Sequence, residues 1–246
     1  MKKFLLSILC GFLISCSTEN AGGPSGDAKG DGVGGSLARF TLAGEYLYTV
    51  DNQSLRIFDI SNRDKPEFVN EKYIGFDIET LYSLGEQLFV GSRLGMFIYD
   101  ISDPEFPLQL AEVEHVRSCD PVVSDGTFAY VTLHTSTSCE GKVNQLEIYN
   151  VENPMAPQLL NTVNMDRPIG LGLYGDNLLV TDEGVVRIFD VTNPAMPDLL
   201  GGIPVDAFDL IIKNDHLFVI GTEGLYQYAL NAEKVEEYEN LSAFTF

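Results

Sequence analysis

The sequence contains no tryptophan, and only three of its 246 residues are histidine and four are cysteine. The motifs of serine hydrolases (G-x-S-x-G), zinc proteases (H-E-x-x-H) and P-loop nucleotidases are all absent. The lack of tryptophan also weakens the case for a sugar-stacking site. We therefore predict no catalytic residues, no metal ligands and no enzymatic activity.

Basic residues are scarce as well. Lysine and arginine number 15 against 36 aspartates and glutamates, which gives a net charge of −21. Such a surface repels nucleic acid and anionic lipid headgroups, and it favours solubility and cationic partners. We expect no nucleic-acid partner.

Long apolar runs are missing except at the N-terminus. The stretch from Phe4 to Ile14 is apolar apart from Ser7 and Gly11, and two lysines precede it. It is shorter than the roughly 20 residues that a transmembrane helix needs. The pattern predicts a signal peptide over residues 1–15.

The run ends in Leu-Ile-Ser-Cys at residues 13–16, which resembles the lipobox of bacterial lipoproteins. The resemblance implies cleavage before Cys16, a diacylglycerol on its sulfur and attachment to a membrane. The next residue is Ser17 rather than aspartate, which by the same resemblance indicates the outer membrane. An ordinary secretory signal with a chance cysteine is the alternative.

Residues 17–36 are rich in glycine and nearly free of large apolar side chains. Such a segment cannot bury enough apolar surface to offset its ordering entropy. We therefore expect residues 16–36 to consist of the lipidated cysteine and a flexible tether, followed by one folded domain over residues 37–246.

A repeat dominates the rest of the chain. Its copies are LRIFDISNRDKP (55–66), MFIYDISDPEFP (96–107), LEIYNVENPMAP (146–157), VRIFDVTNPAMP (186–197) and a degenerate LYQYALNAEK (225–234). The anchor positions Asp59, Asp100, Asn150, Asp190 and Ala229 are separated by 41, 50, 40 and 39 residues. A period near 40 residues is typical of β-propellers.

Each repeat contains short apolar runs separated by turn residues, in the order strand, turn, strand, loop, strand, turn, strand. The Asx-Pro-x-x-Pro element suits a tight turn, since the Asx side chain bonds nearby amides and proline fixes φ. We predict an all-β, five-bladed β-propeller of four-stranded antiparallel blades. The predicted blades span about 37–77, 78–118, 119–167, 168–206 and 207–246.

The segments IFDI, IYDI and IFDV resemble the LVIVD-repeat family of bacterial propeller lipoproteins. The resemblance covers residues 37 to about 240 and implies a propeller fold and a cell-envelope location. It implies no established reaction. The fifth copy departs most from the pattern, because it lacks both the aspartate and the prolines.

Two cysteines flank the first half of blade three. The third repeat has nine extra residues between its second and third strands, and Cys139 lies in this insertion. Cys119 lies in the loop from blade two, so both cysteines should share one rim of the propeller. In an oxidising compartment we predict a Cys119–Cys139 disulfide. A zinc site with His134 and a catalytic thiol are the alternatives.

The inter-blade loops and the loops between second and third strands should lie on this same face. They carry many acids: Asp51, Asp77, Glu79, Asp120, Asp166, Asp182, Asp206, Asp209 and Glu223. These acids do not stand at equivalent positions from blade to blade, which favours solvated surface residues over a shared site.

Two functional hypotheses follow. The first is a non-catalytic envelope lipoprotein whose propeller binds an unknown protein or glycan through the face that bears the insertion. The predicted contacts are Arg117, Asp120, His134, Thr135, Glu140 and Lys142. The alternative is an extracytoplasmic hydrolase or lyase that uses channel carboxylates, with calcium as a possible cofactor.

Overall fold

The computed structural model describes residues 35–115, 121–135 and 143–246. These residues form twenty strands in five four-stranded antiparallel sheets, with the strands of each sheet in chain order. The sheets are the blades of a β-propeller, which confirms the predicted fold class. The described residues include no helix long and apolar enough to cross a membrane.

Each blade is built from one continuous stretch of chain. Blade one contains β1 (Phe40–Ala43), β2 (Tyr46–Val50), β3 (Ser54–Asp59) and β4 (Glu67–Tyr73). Blade two contains β5 (Ile78–Leu84), β6 (Gln87–Ser92), β7 (Gly95–Asp100) and β8 (Leu108–Glu114). Blade three contains β9 (Val122–Ser124), β10 (Phe128–Leu133), β11 (Gln145–Asn150) and β12 (Gln158–Asn164). Blade four contains β13 (Leu171–Tyr174), β14 (Asn177–Asp182), β15 (Val185–Asp190) and β16 (Asp198–Ile203). Blade five contains β17 (Asp209–Lys213), β18 (His216–Ile220), β19 (Gly224–Ala229) and β20 (Glu239–Thr245).

The alternating strand directions give the propeller two faces. We call the upper face the one formed by the loops between blades and the loops between second and third strands. The lower face carries the turns between first and second strands and those between third and fourth strands.

The repeated aspartate forms the turn that the sequence predicts. The Oδ1 atoms of Asp59, Asp100 and Asp190 accept hydrogen bonds from the amide two residues further on, at 2.7, 2.7 and 2.8 Å. Asn150 makes the same bond at 3.0 Å. Each bond folds the chain back from the third strand toward the fourth.

Four apolar clusters join consecutive blades. The cluster between blades one and two includes Tyr48 and Tyr99, and the cluster between blades two and three includes Phe89. Tyr130 packs between blades three and four, and Tyr228 packs between blades four and five. Strands β6, β10 and β14 bury side chains on both of their faces. This burial holds blades two, three and four to their neighbours.

The same four seams are also crossed by hydrogen bonds from side-chain hydroxyl groups. These are Thr41 with Ser83 at 2.7 Å, Tyr82 with the Ser124 carbonyl at 3.0 Å, Thr132 with the Ile169 carbonyl at 2.5 Å and Tyr174 with Asp215 at 2.7 Å. The packed seams therefore combine apolar burial with a specific polar contact.

The seam between blades five and one differs from the other four, since no buried cluster of described residues spans it. Phe40 and Leu42 on its blade-one side are 59% and 39% exposed. Ile220 on its blade-five side is 36% exposed, and Phe218 is only half-buried. We call these two exposed surfaces together the open seam.

Candidate binding face

The described ends of the blade-three insertion lie on the upper face. Eleven residues separate β10 from β11, whereas two residues separate β6 from β7 and β14 from β15. His134 follows β10 directly and is buried, with 8% of its surface exposed. Thr135 donates from its amide and hydroxyl to Oδ1 of Asn144, at 2.8 and 3.2 Å, so Asn144 ties together the described ends of the insertion.

The other predicted residues lie outside the described part of the chain. They are Cys16, Arg117, Cys119, Asp120, Cys139, Glu140 and Lys142. The lipidation, the disulfide and most of the binding face therefore stay predictions.

Blades one and four carry the same acid–arginine cluster on the upper face. Arg187 binds Asp182 at 2.6 Å and Asp166 at 2.7 Å. Arg56 makes the matching contact to Asp51 at 2.8 Å, and its second partner, at 3.2 Å, is Glu71 of β4. Asp51 and Asp182 stand at the same distance before the repeat anchor, as do Arg56 and Arg187, so the expectation that the acids are not equivalent is wrong for these two aspartates.

The clusters differ in burial. The Asp182 side chain is fully buried, whereas that of Asp51 is 43% exposed. Burial alone would raise the pKa of Asp182, but hydrogen bonds from the Arg167 amide, the Arg187 side chain and the Asp166 amide hold that pKa below its ordinary value. Asp182 thus fastens the loop between blades three and four to blade four.

Blade two neutralises its upper-face acids in another way. The Arg93 guanidinium lies 2.9 Å from Glu79 and 3.9 Å from Asp77. Arg93 belongs to the loop between β6 and β7, and both acids precede or begin β5. This arginine therefore binds the loop that arrives from blade one.

Blade three has a carboxylate where blades one and four have arginine. Glu147 stands three residues before its anchor, as Arg56 and Arg187 do, and it is 6% exposed. It accepts hydrogen bonds from the Tyr149 hydroxyl and from Nε2 of Gln145. The sequence analysis did not single out Glu147, although the repeat alignment shows the exchange of charge.

The upper mouth of the central channel is occupied by the chain itself. The Ser36 hydroxyl donates to Asp209 at 3.3 Å and accepts from the Leu171 amide at 2.9 Å. Two residues later, the Ala38 carbonyl accepts from the Leu81 amide at 2.8 Å. Residues 35–38 therefore connect the inner strands of blades four, five and two. The contacts of this segment with the propeller begin at residue 35, two residues before the predicted start of the domain.

Asp209 is the carboxylate nearest this segment. A side chain at Gly35 would place its Cβ 2.1 Å from Oδ2 of Asp209, so the Asp209 carboxylate would have to move to admit one. Burial raises the pKa of Asp209, against the opposing effect of hydrogen bonds from the Leu210 amide and the Ser36 hydroxyl. The residue supports the docked segment and does not face an open channel.

Two cavities lie between blades four and five. The upper one measures about 80 Å³ and is lined by Arg167, Asp182 and Asp206 among others. It is much smaller than the roughly 300 Å³ of a typical ligand pocket. The lower one measures about 500 Å³, and its lining includes several carboxylates and no basic side chain among the described residues.

The described residues contain no group of side chains arranged as a metal site. Among residues 35–115, 121–135 and 143–246, no three histidine, cysteine, aspartate or glutamate side chains are arranged to hold an ion. Two of the upper-face carboxylates, Glu79 and Asp182, instead bind arginines, and Asp182 also binds backbone amides.

Similar folds occur in several solved structures. A functionally unknown protein from Desulfotomaculum acetoxidans has a TM-score of 0.69 at 9% identity, over 85% of this chain and 69% of that one. A periplasmic gluconolactonase from Pseudomonas aeruginosa has a TM-score of 0.64 at 17% identity, over 82% and 68%. BamB from Moraxella catarrhalis has a TM-score of 0.57 at 13% identity, over 76% and 55%. At these identities the likeness is one of fold alone.

The sequence comparisons concern a shorter part of the chain. None of the curated proteins has significant sequence similarity to it. The LVIVD repeat family model matches residues 34–71, which contain β1 to β3 and most of β4. Residues 34–71 thus match the LVIVD repeat, and the described residues as a whole form a five-bladed β-propeller.

Proposed function

We propose that this protein is a non-catalytic lipoprotein of the cell envelope, anchored through Cys16 to the outer membrane. Its propeller is a rigid scaffold that binds a protein or glycan partner through the upper face. The lipobox-like residues 13–16 and the glycine-rich segment after them support the anchor.

The observation that carries the proposal is the state of the upper-face carboxylates. Asp182 is held by Arg187 and two amides, Glu79 is held by Arg93, and Asp209 is covered by Ser36. A glycosidase or lyase needs carboxylates that can reach a substrate. Here the best-placed acids are committed to holding loops, so the surface suits recognition better than acid–base chemistry.

Because a gluconolactonase has a similar fold, lactone hydrolysis is among the activities to be tested. Its identity of 17% supports a shared architecture and does not assign its substrate to this chain. Purified protein should show no turnover of lactones, glycosides or esters, with or without calcium. Saturable turnover of any of these would overturn the non-catalytic assignment.

Partner capture tests the binding face directly. A combined alanine variant at Arg117, Asp120, Thr135, Glu140 and Lys142 should lose partners that in-cell crosslinking captures with the wild type, at an unchanged melting temperature. His134 is left intact, because replacing this buried residue would change the stability of the fold as well as partner binding.

A matched control is the double alanine variant of Lys65 and Glu67, an exposed ion pair on the lower face. It should capture the same partners as the wild type. If the upper-face variant also keeps them, the binding face lies elsewhere.

A further inference from the structure

The ring of blades lacks a packed interface at one position. Buried apolar clusters join consecutive blades from one to five, and no such cluster of described residues joins blade five to blade one. Within the described ranges, no hydrogen bond or ion pair joins a strand of blade five directly to a strand of blade one. Each sheet consists of consecutive strands, so no strand from the far end of the chain closes the ring. Contacts outside the sheets must therefore hold the ring closed at this position.

Residues 35–38, which we call the clasp, bind the blade-five side of this position. Ser36 is buried, with 2% of its surface exposed. Its hydroxyl donates to Oδ1 of Asp209 at 3.3 Å and accepts from the Leu171 amide at 2.9 Å. Asp209 begins β17 and Leu171 begins β13, so one side chain of the clasp binds the first strands of blades five and four.

The clasp also leads directly into blade one. The Ala38 amide donates to the Gly35 carbonyl at 3.0 Å, so the four residues form a tight turn. The Ala38 carbonyl accepts from the Leu81 amide of β5 at 2.8 Å. The next carbonyl, that of Arg39, accepts from the Val50 amide of β2 at 2.9 Å. The clasp thus connects blades five and four with blades one and two.

The fit around Asp209 is close on two sides. A Cβ at Gly170 would lie 2.6 Å from the Asp209 Cα, so this glycine lets the inner strands of blades four and five approach each other. On the other side, a Cβ at Gly35 would lie 2.1 Å from Oδ2 of Asp209. The carboxylate also accepts from the Leu210 amide at 2.9 Å. Asp209 is therefore a fixed point to which the clasp binds.

Weaker interactions hold the clasp than hold the packed seams. A hydrogen bond contributes less net stability than the burial of a large apolar side chain. The packed seams bury several such side chains, including Tyr99 in the first and Phe89 in the second. Local opening occurs most readily where few buried apolar contacts resist it. The position that the clasp closes should therefore open before the other four.

We propose that residues 35–38 close the propeller ring, and that the ring opens at the open seam when this clasp undocks. Each blade keeps its hydrogen-bonded sheet in the open state, because no blade shares a strand with another. The clasp requires neither the Cys16 anchor nor a partner, so its test is separate from that of the proposed function.

Distances between pairs of spin labels on the full chain measure the opening. Labels at Lys65 of blade one and Lys234 of blade five span the open seam. Labels at Lys65 and Phe106 of blade two span a packed seam. All three side chains are exposed and lie in turns between third and fourth strands. Genetically encoded labels leave the native cysteines unchanged.

Two buried serines provide matched variants. Ser36→Ala removes the hydroxyl of the clasp. Ser83→Ala removes a hydroxyl that bonds Thr41 at 2.7 Å and the Leu42 carbonyl at 3.0 Å, between blades one and two. The second seam also contains an apolar cluster, which remains in the variant. We expect Ser36→Ala to extend the distances across the open seam to longer values, and Ser83→Ala to leave those across the packed seam unchanged.

Hydrogen exchange reports the undocking itself. In Ser36→Ala the Leu171 amide loses its acceptor, so it should exchange about tenfold faster or more than in the wild type. Exchange in β10 should not change. Ser36→Asp is a stronger variant, because it places a second carboxylate beside Asp209 and like charges repel. Circular dichroism checks that each variant is folded.

Three results would overturn the assignment of the clasp. The first is a Lys65–Lys234 distance distribution that Ser36→Ala and Ser36→Asp both leave unchanged, whatever the exchange at Leu171. The second is a wild-type distribution for this pair that is already broad, since the ring would then not be closed. The third is equal broadening of both label pairs in Ser36→Ala, because the variant would then loosen the whole propeller.

Discussion

Asp182 should be the carboxylate of the upper face whose loss destabilises the propeller most. Its side chain is fully buried and accepts from the amides of Asp166 and Arg167 as well as from Arg187. Asp182→Ala leaves these donors without an acceptor. A buried donor without a partner costs about 1–3 kcal/mol, and breaking a buried ion pair costs about 3–5 kcal/mol. Because Arg187 keeps Asp166 and reaches solvent, we expect a loss of roughly 3 kcal/mol.

Asp51→Ala is the matched control, since Asp51 holds the same repeat position. Its side chain and that of Arg56 are 43% and 41% exposed, so water screens their attraction and replaces the lost bonds. An exposed pair contributes about 1 kcal/mol or less. The difference between the two variants should therefore come from burial and not from the chemistry of the pair.

Urea-induced unfolding, followed by far-ultraviolet circular dichroism, measures both losses. With no tryptophan in the chain, dichroism is a better probe than intrinsic fluorescence. Equal losses of unfolding free energy in Asp182→Ala and Asp51→Ala would refute the reasoning, because burial would then have no effect.

The same residue predicts a dependence on pH. The folded-state pKa of Asp182 lies below its ordinary value, so its contribution is complete above the unfolded pKa of about 4. That contribution is lost as the pH falls through the folded pKa. Asp182→Asn should remove this part of the acid destabilisation, which unfolding curves between pH 5 and the acid transition would show.

Three further predictions concern other parts of the molecule. Intact mass before and after reduction and alkylation should reveal one Cys119–Cys139 bridge, and two free thiols in natively exported protein would contradict it. Burial raises the pKa of Asp209, so the wild type should lose stability as the pH rises from about 4 toward that pKa. Asp209→Asn should flatten this slope in urea titrations, and an unchanged slope would contradict the assignment. Phe89→Ala should cost about 3–5 kcal/mol in a packed seam, whereas Ile220→Ala at the open seam should cost less than about 1 kcal/mol; equal losses would mean that the open seam is packed in solution.

The blades could be predicted because their signals are local. Alternating apolar residues specify strands, and the Asp59-type turn depends on an amide only two residues away. The insertion in blade three followed from counting residues between repeats. Each of these features is decided within one copy of the repeat.

Contacts between distant segments could not be predicted in this way. The contact of Ser36 with Asp209 joins residues 173 positions apart, and nothing in the glycine-rich sequence before it indicates docking. The open seam likewise depends on how blade five meets blade one. The repeat pattern makes all five seams look alike, so only the structure shows that one is not packed.

One feature of the upper face was visible in the sequence and was missed. The segments LRIFD and VRIFD both place arginine three residues before the anchor, and Asp51 and Asp182 both stand eight residues before it. Alignment of the polar positions, and not only the apolar ones, would have paired Arg56 with Asp51 and Arg187 with Asp182.

The continuity of each blade bears on how the chain reaches its native state. Every described sheet pairs neighbouring strands in chain order, and β1 finds its partner β2 after a turn of two residues. A propeller that borrows a strand from the other end of the chain must keep an unpaired edge exposed until synthesis is finished. Here each blade can complete its hydrogen bonds as it emerges, so contacts of short sequence separation form first and aggregation-prone edges are short-lived. This order of assembly leaves only the docking of finished blades for the last step.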